Sequence, residues 1–565
     1  MTELVTQLKS APADALDTIF IGGCGEFGMN MTFYIHQGKL NMVDCGLAFA
    51  EDYELGVDAH IPKVDEIIDL YGGVAHYLIT HGHEDHVGAL PYFLKKWPAP
   101  VYLTAWTLEI LKDRMARAQM SLENYDIRLV RAGDHIKFGE LSAHWIHKPH
   151  SIPMCCSLWI TAGPYQIYHT GDFKMDPSPL YEKGPDWELI KQAAASGIDL
   201  LVADSTNATK TGFCPGEQMV IEPLEKLIAA ANKLVVFTTF SSNFWRLKTI
   251  VGVAKRLGRK VLPCGAGIQK CFDIATELGL YEPKPGLFIE AEAFSQYQRH
   301  EVLVLASGSQ FENRSALRRI VQDEHPQIRL QTGDSLILSS RIIPGNEKSV
   351  FSLMSHCHDR EVEVLTSYDH PDIHVSGHAY QEDLQVLGEA LKPKYYIPVH
   401  GTFTQLLANS SLLPAAKAQK VRNGCVLRLN SSGLQHLGDF ELERLFIDSW
   451  SRRPMSYENL RTRLRIGDSG MLLITGYVLQ VDRELKTEVH MESMGIPFAD
   501  ELEYETWREQ AAKKITQLLQ GQIKLGAAQE DELNETIRRE IRRDLTRIFV
   551  KKPVVICKLA FATKA

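Results

Sequence analysis

Short apolar runs alternate with longer amphipathic stretches along most of this chain, and the alternation predicts an α/β fold. Apolar runs of strand length lie at residues 17–23, 31–35, 40–43, 77–80 and 200–203. Apolar residues at helical spacing predict helices over residues 87–97 and 105–122. Most of the predicted strands end in a glycine or lead directly into a polar residue. The ends of the strands are therefore where we expect functional side chains.

A second region shows a stricter alternation of strand and helix patterns. Strands are predicted at 234–240, 260–263, 302–306 and 335–339, and helices at 217–233, 242–257, 268–280 and 314–321. Buried strands that are separated by helices indicate a parallel sheet covered by helices on both faces. This region is therefore predicted to be a second α/β domain.

The last part of the chain is more charged and predicts a small α+β domain. Strand patterns at 471–480 and 487–492 precede helix patterns at 501–519 and 530–549 and a final strand at 553–561. The predicted domains are 1–215 for the first part of the first domain, 216–368 for the inserted domain, 369–437 for the second part of the first domain, and 438–565 for the α+β domain.

Composition and charge narrow the range of functions. The chain is 45% hydrophobic and 23% charged, which is typical of a globular protein. Its net charge of −9 gives no support to binding nucleic acid through a basic surface, so any such contact has to come from a local site. Ten cysteines without paired spacing predict reduced thiols in a cytoplasmic protein. No apolar run is long enough for a bilayer and no signal peptide pattern is visible, so no membrane association is expected.

The stretch richest in possible metal ligands is Thr-His-Gly-His-Glu-Asp-His at residues 80–86. In an extended segment alternate side chains share a face, so His81 and His83 can bind one metal ion together. Asp85 and His86 follow where the chain turns into a helix, and they indicate a second position beside the first. Imidazoles and a carboxylate are ligands that Zn²⁺ prefers. This stretch predicts a metal site.

Later strand ends carry further candidates for the same site. His150 ends a strand before a turn, Asp172 follows a strand in a glycine turn, and Asp204 ends a buried strand. His378 and His400 also follow predicted strands. A carboxylate in the position of Asp172 can bridge two metal ions.

Other polar residues near strand ends receive a plainer interpretation. His144 and His147 are expected to be ordinary strand or surface residues. Residues 23–28 match a dinucleotide-binding fingerprint, but a strand follows them instead of a helix, so a tight turn is favoured. Asp44 ends a strand and is expected to support the metal ligands through hydrogen bonds.

The His-x-His-x-Asp-His pattern resembles that of the metallo-β-lactamase superfamily, and the chain as a whole resembles the ribonuclease J family, a β-CASP branch of it. The matching stretches are residues 28–32, 78–90, 150–153, 169–174, 204–207, 239–247, 308–310, 344–350, 374–379 and 398–401. The resemblance implies a metallo-β-lactamase αββα sandwich with an inserted β-CASP α/β domain and a small C-terminal α+β domain.

The resemblance also implies roles for individual residues and a pair of cofactors. It makes His81, His83 and His150 ligands of one metal and Asp85, His86 and His400 ligands of a second, with Asp172 between the two. Asp204 and His378 complete the site, His378 as the proton donor for the leaving 3′-oxygen and Asp85 among the catalytic residues. Ser376, Gly377, His378 and Ala379 form a turn that resembles an RNA phosphate-binding loop. The cofactors implied are two divalent ions, Zn²⁺ first and Mn²⁺ as the alternative.

The implied function is a metal-dependent RNA phosphodiesterase that acts in RNA processing and decay. It would be a 5′-to-3′ exoribonuclease with endoribonuclease activity as a second mode, using a hydroxide activated by two metals. The partners would be single-stranded RNA with a 5′-monophosphate and further copies of the chain, as a homodimer or homotetramer formed through the C-terminal domain.

Two other classes of function are open at this stage. A small-molecule metallohydrolase of the glyoxalase II type could use the same ligands, but a small thioester needs no inserted domain of this size. A non-catalytic subunit of an RNA-processing assembly is the second alternative. Such a subunit would be expected to have lost metal ligands, whereas this chain keeps all seven.

Overall fold

The computed structural model of the chain describes residues 2–51, 53–313, 315–343, 345–481, 484–520 and 527–563. Arg314 and Pro344, where two of the stretches named above begin, lie outside these ranges. The chain forms two compact units, residues 1–49 with 59–444 and residues 50–58 with 445–565. The domain boundaries given above stay a prediction.

The elements before residue 216 are α1 (Thr2–Lys9), β1 (Leu16–Gly22), β2 (Cys24–Gly25), β3 (Met31–His36), β4 (Lys39–Val43), β5 (Ala48–Phe49), β6 (Val57–Lys63), α2 (Asp65–Leu70), β7 (His76–Leu78), α3 (Glu84–Val87), α4 (Leu90–Lys96), β8 (Val101–Leu103), α5 (Ala105–Arg117), β9 (Ile127–Leu129), β10 (His135–Phe138), β11 (Leu141–His147), β12 (Cys156–Ala162), β13 (Tyr165–His169), α6 (Trp187–Ser196) and β14 (Leu200–Asp204). The next region contains α7 (Ile221–Ala230), β15 (Val235–Thr238), α8 (Phe244–Arg256), β16 (Lys260–Cys264), α9 (Ala266–Glu277), β17 (Val302–Ala306), α10 (Ala316–Val321), β18 (Ser335–Leu338), α11 (Glu347–Asp359) and β19 (Glu363–Thr366).

The remaining elements are α12 (Gln381–Leu391), β20 (Tyr395–Val399), β21 (Gly401–Thr402), α13 (Phe403–Ser410), β22 (Lys417–Ala418), β23 (Cys425–Asn430), β24 (Gly433–Asp439), β25 (Glu443–Asp448), β26 (Pro454–Met455), α14 (Tyr457–Ser469), β27 (Met471–Val481), β28 (Glu484–Met494), α15 (Glu501–Gln520), α16 (Ala527–Phe549) and β29 (Val554–Thr563). Short 3₁₀ turns lie between some of them, for example at Leu122–Asn124.

Two sheets pack face to face in the first domain. One has the strand order β24-β23-β1-β3-β4-β7-β8-β9 and the other β10-β11-β12-β13-β14-β20-β22. A shared core of buried side chains joins them, with Leu16 and Leu78 from the first sheet and Trp145 and Ile167 from the second. Helices α6 and α12 cover the outer face of the second sheet. This is the sandwich that the sequence predicts.

The parallel strands of both sheets run towards the same functional edge. In the first sheet β4, β7 and β8 are parallel, and in the second sheet β13, β14 and β20 are parallel. The carboxyl ends of parallel strands meet at one edge of a sheet, where open α/β sheets bind ligands. Residues that follow these strands are therefore brought close together.

The inserted region is a five-stranded parallel sheet with the order β16-β17-β15-β18-β19. Its two faces are both buried, with Phe237 and Leu303 in one apolar cluster and Val236 and Val304 in the other. The predicted parallel sheet with two covered faces is confirmed. The pair α11 and β19 was not predicted.

Two predicted helices in the first domain have different bounds in the structure. The helix expected over 87–97 is α4, which begins only at Leu90 because Pro91 is tolerated only in the first turn of a helix, while the separate short helix α3 ends at Val87. The helix expected over 105–122 ends at Arg117. Gln119 has a positive φ of 57°, a conformation that is common just after a helix ends.

The C-terminal region is an α+β domain, as predicted. Its sheet has the order β28-β27-β29, and α15 and α16 pack on one face through Leu472, Ile474, Ile515 and Ile541. All ten cysteines of the chain are buried free thiols. Among the described residues, none of the helices has the length and apolar character that crossing a membrane requires.

Candidate metal centre

The seven side chains proposed as ligands converge into two adjoining groups. The ligand atoms of His81, His83, His150 and Asp172 lie within 4.8 Å of one another and form what we call the first group. Those of Asp85, His86, Asp172 and His400 satisfy the same limit and form the second group. Asp172 belongs to both, so the structure brings together every ligand that the sequence nominated.

Strand ends and one helix start position these side chains. His81 follows β7, Asp85 and His86 lie in α3, and His150, Asp172 and His400 come just after β11, β13 and β20. Glycines allow the close approach. A Cβ on Gly171, which has a φ of 52°, would lie 2.9 Å from the Thr80 hydroxyl, and one on Gly46 would lie 1.6 Å from the Asp85 carbonyl oxygen.

In the first group the hydrogen bonds fix where the imidazole hydrogens lie. His150 Nδ1 donates to the Gly377 carbonyl at 2.7 Å. The Thr80 hydroxyl donates to Asp44, so it accepts from His81 Nδ1 at 3.0 Å. The Nε2 atoms of both rings therefore carry lone pairs, and they lie 3.1 and 3.2 Å from His83 Nδ1.

Three imidazole nitrogens thus face one another with at most one hydrogen among them. Ser151 Oγ lies 3.4 Å from His83 Nε2 and can accept its hydrogen, which leaves a lone pair on Nδ1. Lone pairs that converge in a buried place are costly unless a cation or a proton lies between them. The donor set of the first group therefore fits a divalent cation.

Asp44 and Asn30 hold the second group in place. His86 Nδ1 donates to Asp44 Oδ2 at 2.7 Å, which turns Nε2 towards Asp172 Oδ1 at 3.2 Å. Asn30 Nδ2 lies 3.0 Å from both Asp85 Oδ2 and His86 Nε2. The bond from His86 to Asp44 lies behind the ring and fixes its orientation and tautomer, whereas the Asn30 amide contacts the Nε2 that faces the site. The support expected from Asp44 is confirmed as a hydrogen bond.

Asp172 supplies the sharpest test of whether a metal fits. Its Oδ1 is buried and makes no hydrogen bond within the described residues, although His400 Nδ1 is 2.9 Å away and His86 Nε2 is 3.2 Å away. Its Oδ2 is 3.5 Å from His81 Nε2 and 3.8 Å from His150 Nε2. Each oxygen thus faces one of the two groups. Asp172 could therefore serve as a ligand in both groups.

The two groups differ in the pKa values of their histidines. Burial lowers the pKa of His83 to about 3 and holds the pKa values of His81 and His150 below their ordinary range. Burial also acts on His86, but the carboxylates of Asp172, Asp85 and Asp44 outweigh it and raise the pKa to about 10. The pKa of His400 is likewise raised, by Asp172, Asp204 and Asp85.

His378 and Asp204 form a pair beside the two groups. His378 Nδ1 donates to Asp204 Oδ2 at 2.8 Å, and His378 Nε2 lies 3.9 Å from Asp172 Oδ2. Burial opposes a charge on His378, but Asp204 and Asp172 raise its pKa above the ordinary value. Thr206 N donates to Asp204 Oδ1 at 2.8 Å and keeps the carboxylate in place. The ring of His378 is therefore oriented with Nδ1 towards Asp204 and Nε2 towards Asp172.

The predicted phosphate-binding turn, residues 376–379, lies against the first group through the bond from His150 to Gly377. Two of its amide groups are already used, because His378 N donates to Ser376 Oγ at 3.2 Å and Ala379 N donates to the Phe173 carbonyl at 2.6 Å. Asn207 Nδ2 also donates to Ser376 Oγ, at 2.8 Å. The Ser376 hydroxyl accepts two bonds and keeps its own hydrogen to donate.

The inserted domain helps to position this turn. Arg246, on α8, is fully buried and pairs with Glu217, and it donates to the carbonyls of Ile373 and Val375 at 3.3 Å each. A cleft beside the centre is lined by His150, Ser376, Glu182, Glu217, Asn243 and Trp245. The segment that leads into Ser376 is therefore anchored to the inserted domain and not only to the sandwich.

Several residues at the site were not singled out from the sequence. Four of them act through hydrogen bonds. The partners of Asn30, Thr80 and Arg246 lie far away in the chain. Thr206 instead bonds to Asp204, which is close by. Lys148 is only 3% exposed, its Nζ has no hydrogen bond within the described residues, and burial lowers its pKa to about 8. Its position two residues before His150 was the one available signal. His144 and His147 lie on β11, as expected, and His144 stacks on Trp159.

Comparison with protein families gives matches along most of the chain. The Metallo-beta-lactamase superfamily matches residues 24–192, and the domain described as Ribonuclease J, beta-CASP domain, matches residues 232–357. The domain described as Zn-dependent metallo-hydrolase RNA specificity domain matches 371–421, and the Ribonuclease J C-terminal domain matches 458–560. The order of the matches confirms the predicted fold class.

Individual relatives agree with these matches. The ribonuclease J of Thermus thermophilus is 33% identical over 478 residues, which are 83% of this chain and 83% of the relative. The ribonuclease J of Helicobacter pylori is 30% identical over 95% of this chain and 78% of its own length. That of Sinorhizobium meliloti is 30% identical over 95% of both chains. Among solved structures, a protein of unknown function from Enterococcus faecalis has a TM-score of 0.53 at 16% identity, covering 74% of this chain and 100% of its own. This last likeness bears on the fold alone.

Proposed function

The chain belongs to the ribonuclease J family and is a metal-dependent ribonuclease, and from this premise we propose that it degrades single-stranded RNA from a 5′-monophosphorylated end in the 5′-to-3′ direction, with endonucleolytic cleavage as a second mode. The observation that carries the proposal is Asp172, whose two oxygens face two complete ligand groups beside the His378–Asp204 pair. A hydrolytic centre of this kind, next to a cleft bounded by two domains, suits an extended chain of nucleotides better than a small thioester.

Two divalent ions are proposed as cofactors, with Zn²⁺ as the first choice. The first group would hold one ion through His81, His83 and His150, and the second group would hold the other through Asp85, His86 and His400. Asp172 would contact both. The nitrogen-rich donor set favours Zn²⁺, and Mn²⁺ is the alternative because carboxylates make up part of the second group. When bound, the two ions supply Lewis acidity that lowers the pKa of an attacking water and offsets charge on the phosphate.

His378 is proposed as the general acid. Hydrolysis of the phosphodiester leaves a 3′-oxygen that must gain a proton as its bond to phosphorus breaks. His378 Nε2 carries that proton towards the site, because its Nδ1 is occupied by Asp204 and its pKa is raised. Asp204 is a positioning residue that keeps the ring oriented and stabilises its charged form.

Ser376 is proposed to contact a phosphate of the RNA. Its hydroxyl already accepts from Asn207 and from the His378 amide, so its hydrogen is free to donate to a phosphate oxygen. The amide groups of His378 and Ala379 have partners of their own, and Gly377 uses its carbonyl for His150. The Ser376 hydroxyl and the amide groups of Ser376 and Gly377, which make no hydrogen bond within the described residues, would therefore supply the contacts to RNA.

Pairing of two copies through the C-terminal domain is proposed as the first step of assembly into a dimer or tetramer. Helices cover one face of its sheet, while Tyr477, Ile556 and Met494 are 43%, 38% and 60% exposed on the other. We expect Ile556→Asp to give a monomer by light scattering, and Val550→Asp, at a site that is 85% exposed outside the sheet, to leave the oligomer unchanged. A monomeric wild type would contradict the proposal.

The free buried thiols suit a cytoplasmic location, which we also propose.

The deciding experiment compares RNAs that differ only at the 5′ end. RNA labelled at the 3′ end and carrying a 5′-monophosphate, a 5′-triphosphate or a 5′-hydroxyl is incubated with protein loaded with Zn²⁺ or Mn²⁺, with and without a chelator. We expect the 3′-labelled monophosphate substrate to become shorter stepwise from its 5′ end, and the chelator to stop the reaction. Equal rates on all three ends would contradict the 5′-end preference. Hydrolysis of a glutathione thioester without any cleavage of RNA would contradict the ribonuclease itself.

A further inference from the structure

A second constellation of ligand-type side chains lies away from the metal centre, on the hairpin of β23 and β24. Within the described part of the chain, four groups of His, Cys, Asp or Glu side chains converge to 4.8 Å or less, and three of them contain Asp172. The fourth consists of Cys425, His436 and Asp439. It has no part in the proposed hydrolysis of RNA.

A β-bulge creates this group. In the hairpin Cys425 is paired with Asp439, Val426 with Gly438 and Leu427 with His436, so Leu437 is the extra residue. In a regular strand positions 436 and 439 point to opposite faces, because side chains alternate. The extra residue shifts the alternation by one and places both side chains on the face of Cys425. A bulge that re-aims a side chain is often a functional feature.

The three side chains offer the donors of a zinc-class ion. Cys425 is 3% exposed, whereas the side chains of His436 and Asp439 are 50% and 35% exposed, so the group is closed by the sheet on one side and open to solvent on the other. His436 Nε2 lies 2.8 Å from Asp439 Oδ1. Arg422 Nε is 3.9 Å from the other oxygen, Asp439 Oδ2, so it does not compete for Oδ1. One sulfur, one nitrogen and one oxygen ligand with an open fourth position make a three-ligand zinc site.

We infer that Cys425, His436 and Asp439 bind one Zn²⁺-class cation that joins the two strands of the β23–β24 hairpin, with solvent in the fourth position. Binding forms a metal–sulfur bond as the thiol of Cys425 loses its proton to solvent, and no electron is transferred. The ion replaces the hydrogen bond between His436 and Asp439. Because β24 is the edge strand of its sheet, the ion would stabilise an edge that has no neighbouring strand on its outer side.

The test uses full-length protein that is stripped of metal, given only the two equivalents of Zn²⁺ that the main centre would hold, and then titrated with Cd²⁺. Cadmium bound to a thiolate gives an ultraviolet charge-transfer band, and none of the seven ligands proposed for the main centre is a cysteine. We expect a band that saturates at one equivalent in the wild type. His436→Gln and Asp439→Asn should lose it at concentrations that saturate the wild type, and Cys425→Ser should lose it entirely.

Matched controls separate this site from general effects. His490→Gln removes an exposed histidine elsewhere, and Cys557→Ser removes a buried thiol in the C-terminal domain, so both should keep the band. Ribonuclease activity should stay at the wild-type value in His436→Gln. Absence of the band in the wild type, or a band that survives both His436→Gln and Asp439→Asn, would overturn the inference. Those two residues are largely exposed, so this outcome does not depend on whether Cys425→Ser folds.

Discussion

The two ligand groups that share Asp172 are built from similar side chains but have opposite electrostatic character. The first group has three imidazoles and little negative charge, so burial dominates and His83 stays neutral, with a pKa of about 3. In the second group Asp44, Asp85 and Asp172 surround His86 and raise its pKa to about 10. A cation would therefore meet neutral ligands in the first group, whereas in the second it would have to displace a proton. The number of carboxylates nearby, and not the histidines themselves, sets the difference.

The largest effect is expected from removing the residue that the groups share. Asp172→Ala takes a ligand from both groups and leaves imidazole nitrogens facing one another, so we expect RNA cleavage to be abolished and metal content to fall at both positions. The fold should survive, because the apolar core of the sandwich is separate from the site. Metal analysis by mass spectrometry, a cleavage assay and circular dichroism check this.

Asp126→Ala is the matched control for Asp172→Ala. Its carboxylate lies on the surface and pairs only with Arg128 among the described residues, so metal content and activity should remain unchanged. Near-normal cleavage by Asp172→Ala would show that the two-metal assignment is wrong.

A smaller loss is expected from the residue that lies outside both groups. His378→Gln removes the proposed general acid and should reduce kcat by about 10²- to 10⁴-fold, the usual share of such catalysis. Both metal positions should keep their ions, since His378 is assigned no metal. Metal analysis together with single-turnover kinetics measures the two quantities. Depletion of metal in this variant would make His378 a ligand and would join it to one of the groups.

How much of this contrast could be predicted from the sequence depends on distance along the chain. The ligand candidates could be found because each follows a strand, and parallel strands bring their ends to one edge, as with His81, Asp172 and His400. The opposite electrostatic character of the two groups could not be predicted, because it depends on how many carboxylates surround each imidazole ring. Asp44 and His86 are 42 residues apart, and no local pattern shows that they are hydrogen-bonded.

The same reasoning explains the other differences between sequence and structure. The fold class and the parallel inserted sheet are confirmed. They could be predicted because the hydrophobic period of each element and the order of strands and helices along the chain are local signals. Arg246, which anchors the segment before Ser376, was missed because a buried arginine on an apolar helix has no recognisable pattern. Pro91, in the first turn of α4, is a local signal for where that helix begins. The roles of the individual ligands stay predictions that the experiments here address.

The third effect concerns only the second group. Asp44→Asn removes a negative charge beside His86 and weakens the bond that orients its ring, so affinity at the second position should fall by about 10- to 100-fold. The first group should change less, because Asp44 is hydrogen-bonded there to Thr80, through its amide and its hydroxyl, and not to a ligand. Competition with a fluorescent zinc chelator resolves the two affinities. Equal weakening at both positions would show that Asp44 supports the whole centre and not the second group in particular.

The smallest effect is a difference in how the two groups couple stability to pH in metal-free protein. The pKa of His83 falls from 6.5 unfolded to about 3 folded, so the unfolded state binds the proton first and stability is lost as pH falls from 6.5 towards 3, by about 1.4 kcal/mol per pH unit. The pKa of His86 rises from 6.5 to about 10, so its contribution is complete below 6.5 and is lost as pH rises towards 10. His83→Gln should therefore flatten the acid side of the stability profile, and His86→Gln the alkaline side. Urea unfolding of chelator-treated protein between pH 5 and 9 measures both. If the two variants flatten the same side, the electrostatic contrast between the groups is wrong.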